Sequence, residues 1–268
     1  MKHPHDPFPI RSFFLIITIF TLFGIPKCLC QDGRYVSCGN VYQCGNIQFR
    51  YPFWGGNRPE NCGYPGFEVN CVSSSVPRIT ISSQQYLVVN SPDITANTVT
   101  VAREDLFNNI CPQDPKDTAI NFTIFNPSNT QNLTLYYGCP TITPPPLFEF
   151  PCTTNGNTTA NYFNMLGSNQ GITIPSGCDR IITVLVDQDA VRNLGSSAGL
   201  NGVLRAGFTL KYEAENANCL RCLQSRGQCG YDSGSFVCYC ADRAYTRECN
   251  GTAAGTPSGN GMYDFMCY

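Results

Sequence analysis

Fifteen cysteines follow Gln31 in this chain of 268 residues, and that density constrains the fold more than any other feature. In an oxidising compartment such a set forms a disulfide framework, here of up to seven bridges with one cysteine left over. Each bridge contributes about 2–4 kcal/mol, chiefly by restricting the unfolded chain, so small modules can stand without a large core.

The compartment is read from the N-terminus. Lys2 and Arg11 precede an apolar run from Phe13 to Ile25, and Cys28, Leu29 and Cys30 lead into a polar stretch. This is the order of a secretory signal peptide, and thirteen apolar residues are too few for a span that needs about 20. Residues 1–30 are therefore expected to be removed, with the rest secreted into the extracellular space. Sequons at Asn121, Asn132, Asn157 and Asn250 agree with passage through that pathway as a glycoprotein. Past Ile25 no apolar run approaches membrane-spanning length.

Removing the leader takes away both histidines, His3 and His5. Histidine is the usual general base and zinc ligand at neutral pH, so Ser-His, Cys-His and His-zinc chemistry are excluded from the expected mature chain. Loss of Lys2, Arg11, Lys27 and Asp6 leaves 14 basic and 18 acidic residues, a net charge of −4, which disfavours nucleic acid as a partner. The acid pairs Glu104/Asp105 and Asp187/Asp189 are the nearest candidates for glycosidase carboxylates. Strand neighbours point to opposite faces and an Asp-x-Asp in a polar turn caps, so the chain is read as a non-enzyme without cofactor or metal.

β-branched and aromatic runs separated by turn residues predict short strands at 67–72, 78–90, 98–102, 119–125, 133–137, 171–175, 180–187 and 204–212, with one helical turn at 187–194. The fold class is mainly β and disulfide-rich, with minor helix. The proline-rich stretch 141–151 (TITPPPLFEFP) reads as a linker between two small cysteine-stapled β domains, 31–140 and 152–250, and 251–268 reads as a flexible tail. Cys38, Cys44, Cys62, Cys71, Cys111 and Cys139 fall in the first part, and Cys152, Cys178, Cys219, Cys222, Cys229, Cys238, Cys240 and Cys249 in the second. All fourteen are disulfide candidates, and Cys267 in the tail is the odd one.

The spacings CxxC at Cys219/Cys222 and CxC at Cys238/Cys240 are structural rather than redox or zinc motifs in an oxidising compartment. This cluster resembles an epidermal-growth-factor-like module with a shortened first loop. The resemblance implies the pairs Cys219–Cys229, Cys222–Cys238 and Cys240–Cys249. YPFWGG at 51–56, RPENCG at 58–63 and PGFEVNC at 65–71 follow one another as in plant wall-associated receptor kinases, so the first domain resembles their galacturonan-binding domain. CLRCLQSRGQCG at 219–230 with FVCYC at 236–240 resembles the C-terminal domain of the same receptors, in the leaf rust resistance branch. The resemblance implies binding of an acidic cell-wall polysaccharide, pectin or galacturonan, and no HRD or DFG kinase motif is present.

Galacturonan carries one carboxylate per sugar, so a site needs arginine forks and aromatic faces. Between Gly33 and Pro59 the chain holds Arg34, Arg50 and Arg58 and no acid, with Tyr51, Phe53 and Trp54 among them. Arg50, Arg58, Tyr51, Trp54 and Arg34 are the candidate ligand contacts, with Arg78 and Arg103 as weaker ones. The competing reading is a protein-interaction ectodomain that partners a membrane receptor in defence signalling without binding sugar.

Overall fold

In the computed structural model the described residues are 31–73, 75–141, 148–154, 157–165, 175–194 and 197–249. The expected leader, the tail, Cys267 and Asn250 lie outside them. In chain order the elements are α1 (Gly33–Gly39), β1 (Tyr42–Cys44), β2 (Ile47–Phe49), η1 (Glu60–Cys62), β3 (Val69–Val72), β4 (Val76–Ile81), β5 (Gln84–Val88), β6 (Thr98–Arg103) and α2 (Glu104–Phe107). There follow β7 (Phe125–Ser128), β8 (Thr130–Cys139), β9 (Phe148–Thr154), β10 (Asn157–Met165), β11 (Arg180–Asp187), η2 (Ala190–Asn193), α3 (Ser197–Ala206), β12 (Phe208–Tyr212), α4 (Asn216–Gln224), β13 (Gln228–Asp232), β14 (Ser235–Tyr239) and β15 (Ala244–Tyr245).

The mainly β, disulfide-rich class is what the structure shows. Two sheets dominate, a six-stranded one in the order β3-β4-β5-β6-β12-β7 and a four-stranded one in the order β11-β8-β10-β9. Among the described residues seven bridges use fourteen cysteines: Cys38–Cys62, Cys44–Cys71, Cys111–Cys152, Cys139–Cys178, Cys219–Cys229, Cys222–Cys238 and Cys240–Cys249.

The sheets do not respect a boundary at 141–151. β12 inserts between β6 and β7, pairing Leu210 with Val99 on one side and with Pro127 on the other. β8 is flanked by β10 and β11 in turn, and β9 starts inside the stretch expected to be a linker. Two bridges, Cys111–Cys152 and Cys139–Cys178, also cross it. Asp32 to Cys249 accordingly fall in one compact unit.

The six-stranded sheet is amphipathic by simple alternation. Ile79 and Ile81 of β4 are buried while Thr80 faces out, and β3 buries Val69 and exposes Asn70. The inner face packs Phe49, Phe53, Phe67, Tyr86, Phe125, Phe208 and Tyr212 into one aromatic core, with Phe53 edge-on to Phe67 and Tyr212 at 5.3 and 5.6 Å between ring centres. Burial of such rings is the main apolar contribution to stability. A second core lies between the four-stranded sheet and α3, around Leu133, Phe150, Phe163, Val184 and Leu200.

Candidate functional site

The segment 50–58, expected to be the ligand contact, is pulled in two directions by the fold. Arg58 is 2% exposed. Its Nε donates to Phe53 O at 3.0 Å, Nη1 to the carbonyls of Cys38 and Asn40, and Nη2 to Cys62 O at 2.7 Å. These carbonyls include the ends of α1 and η1, where unpaired oxygens gather and a cation is favoured. Burial pushes the guanidinium down to about 10, so it remains charged at neutral pH. Arg58 is thus a structural clasp rather than an exposed fork.

Tyr51 is likewise buried, and its hydroxyl donates to Ala214 O at 2.7 Å. Arg34 is exposed but pairs with Asp32 at 2.9 Å and lies 5.0 Å from the centre of the Tyr239 ring. The hydrogen bond from Arg34 holds the Asp32 carboxyl below its ordinary range. Arg50 is exposed and its side chain has no hydrogen bond or ion pair among the described residues; it borders a cavity considered below.

Trp54 remains. Its backbone is strapped to the edge of β3, with Trp54 N donating to Phe67 O at 3.2 Å and Val69 N to Trp54 O at 2.8 Å. The indole lies against Gly63, where a Cβ would collide with Trp54, and Nε1 donates to Tyr64 O at 3.3 Å. Held this way, the half-buried ring borders the outer, polar face of the sheet.

That face is a groove. Three hollows of about 490, 290 and 410 Å3 adjoin through shared walls, the first two at Glu68 and Asn70 and the last two at Gln85. Strand register explains the grouping, since Asn70 pairs with Arg78 and Thr80 with Gln85, placing polar side chains side by side. Arg78 forms an ion pair with Glu104, and its Nε is buried without a partner among the described residues. At the far end Arg103 pairs with Asp105 at 2.6 Å and donates to Lys116 O, and Lys116 pairs with Asp114 at 3.0 Å. The sequence reading ranked Arg78 low and passed over Asn70, Thr80 and Gln85; the alternation in VPRITI was the available signal.

The remaining candidates are structural. Glu104 and Asp105 are committed to the arginines above, and Asp187 accepts from the amides of Asp189 and Ala190 at 2.9 and 3.0 Å. Asp189 pairs with Arg192 at 2.9 Å. The sulfurs of Cys238, Cys240 and Cys249 gather closely enough to hold a metal, but all three belong to disulfides. Asn121 and Asn132 are exposed. No helix among the described residues is long and apolar enough to cross a membrane.

Comparison with known proteins agrees with this layout. The family described as wall-associated receptor kinase galacturonan-binding matches residues 34–103, and the wall-associated receptor kinase C-terminal family matches residues 151–243. The chain thus carries segments similar to the galacturonan-binding and C-terminal domains of wall-associated receptor kinases. The Arabidopsis thaliana leaf rust 10 disease-resistance locus receptor-like protein kinase-like 2.1 is 30% identical over 91% of this chain, and 2.8 is 29% identical over 85%. The chain spans 40% and 25% of those two relatives' lengths. No solved structure matches it. Trp54, Asn70, Arg78 and Gln85 all lie inside the galacturonan-binding match.

Proposed function

We propose that this chain is a non-enzymatic, extracellular ectodomain that binds acidic cell-wall polysaccharide of the galacturonan class, and that the polymer lies along the outer face of the six-stranded sheet. The observation that carries the reading is the coincidence of one half-exposed indole, one arginine and a row of amide and hydroxyl side chains in a groove within the galacturonan-binding match. Trp54 offers a ring face for a sugar, Asn70, Thr80 and Gln85 offer hydrogen bonds to hydroxyls, and Arg78 is the cation nearest the indole. Because Glu104 already pairs with Arg78, a uronate must compete for it, so charge contributes less than an unpaired arginine cluster would. Seven disulfides support the extracellular setting.

Trp54 is the single tryptophan of the chain, so its fluorescence reports on the groove alone. Titration of the secreted protein with oligogalacturonides should give a saturable change in emission. Arg78→Gln should weaken binding by about three- to tenfold, the value of an ordinary hydrogen bond, because Glu104 competes for the guanidinium. Unchanged emission together with no retention on immobilised pectate would overturn the proposal.

A further inference from the structure

A separate cavity of about 450 Å3 shares no wall residue with the groove. Its volume lies in the roughly 300–1,000 Å3 range of small-molecule sites. Tyr51, Tyr212 and the Cys219–Cys229 bridge line it, and Ile94, Leu220 and Leu223, also in its wall, are 51%, 57% and 48% exposed. Large apolar side chains so exposed and grouped around one opening mark a contact site.

The charge around the cavity has one sign. Arg50 and Arg58 are in the wall and no Asp or Glu is. Arg58 is committed to carbonyls, whereas Arg50 is exposed and its side chain is without a partner among the described residues. Proximity of Arg50 adds to burial in pushing the Arg58 guanidinium down, evidence of a positive potential there. Asp93 and Glu215, outside the lining, act on Tyr212 and Tyr51.

An unmet polar group is buried behind the cavity wall. Tyr212 is 1% exposed and its hydroxyl has no hydrogen-bond partner among the described residues. The neighbouring buried hydroxyl of Tyr51 is satisfied, so the orphan is specific to Tyr212.

We propose that this cavity binds a small organic acid, its apolar body against Ile94, Leu220 and Leu223 and its anion at Arg50. The exposed apolar wall sets the body, and the arginine whose side chain has no partner among the described residues sets the charge.

The test uses the whole secreted protein and two dyes of similar ring system, anionic 8-anilinonaphthalene-1-sulfonate and neutral N-phenyl-1-naphthylamine. The anionic dye should bind saturably at one site per chain, about two- to fivefold more tightly than the neutral one, the range for an exposed ion pair. Arg50→Gln should abolish that preference and leave the neutral dye unaffected. Ala217→Trp, at an exposed wall position, should displace both dyes while near-ultraviolet circular dichroism stays native. Absence of saturable dye binding by natively folded protein overturns the proposal, as does binding indifferent to Ala217→Trp. Equal affinity for the two dyes overturns its anionic part. Oligogalacturonide titration of the Arg50→Gln variant, read at Trp54, and retention of the Ala217→Trp variant on immobilised pectate should match the parent chain, so failure here and failure of the groove are distinguishable.

Discussion

Arg50 and Arg58 stand on either side of the same aromatic run, yet one meets solvent and the other four carbonyls. Nothing in a local charge of +3 distinguishes these fates, because the carbonyls come from α1, η1 and a turn that converge only in the folded chain. Arg58→Gln should lower unfolding stability by about 3–5 kcal/mol in denaturant titration, the usual cost of breaking a buried charged network. Arg58→Lys should recover little, since one ammonium cannot span acceptors that a planar fork reaches. The two buried tyrosines provide a finer comparison. Tyr51→Phe removes a hydrogen bond to Ala214 O and should cost about 1 kcal/mol, whereas Tyr212→Phe removes an orphan hydroxyl and should be neutral or stabilising in the same titration. The sequence places Tyr51, Phe53 and Trp54 between two arginines without separating them, and only the fold buries Tyr51 and Phe53 while leaving Trp54 half-buried at the sheet's outer face; Arg78 is a weaker candidate because one arginine in a strand carries no sign of its face.

Among the elements, strand type was legible and strand ends were not. The run 78–90 is a hairpin, β4 to β5, turning at Ser82 and Ser83 with φ of +48° and +66°. That geometry usually calls for Asn-Gly, so two serines hid the turn. The run 204–212 divides at Gly207, which ends α3 with φ of +71° and opens β12. A Cβ at Gly207 would strike the carbonyl of Val101, and Gly207 O accepts from Asp187 N at 3.1 Å, tying β11 to β12. Gly207→Ala should therefore destabilise by more than about 1 kcal/mol, seen as a lowered denaturant midpoint with unchanged slope. Residues 119–125 form a strand only from Phe125 onward. The prolines of 141–151 suggest a linker, but Phe148 and Phe150 flank Glu149 in strand alternation, and β9 is an edge strand where Pro151 is tolerated.

At the scale of the whole molecule, the sequence motifs identify two family segments and the sheets merge them. Motifs report covalent neighbours, whereas the insertion of β12 between β6 and β7 depends on packing that no local pattern encodes. A fragment 31–139 lacks β12 and separates Cys111 and Cys139 from Cys152 and Cys178. It should show no cooperative thermal transition, while the intact chain unfolds in one step as judged by coincident Trp54 fluorescence and far-ultraviolet circular dichroism. The insertion of β12 also bears on how quickly the protein can form. Each disulfide closes 41 residues or fewer, so even a fully oxidised unfolded chain is a string of three knotted regions joined by free segments. The contact between Thr100 and Thr209 spans 109 residues, and although Cys111–Cys152 and Cys139–Cys178 shorten that loop, neither ties β6 to β12. Contacts of such long range slow folding. Oxidised protein diluted from denaturant should regain its local sheets first and its native Trp54 signal in a later common phase, the time needed for β12 to find its place.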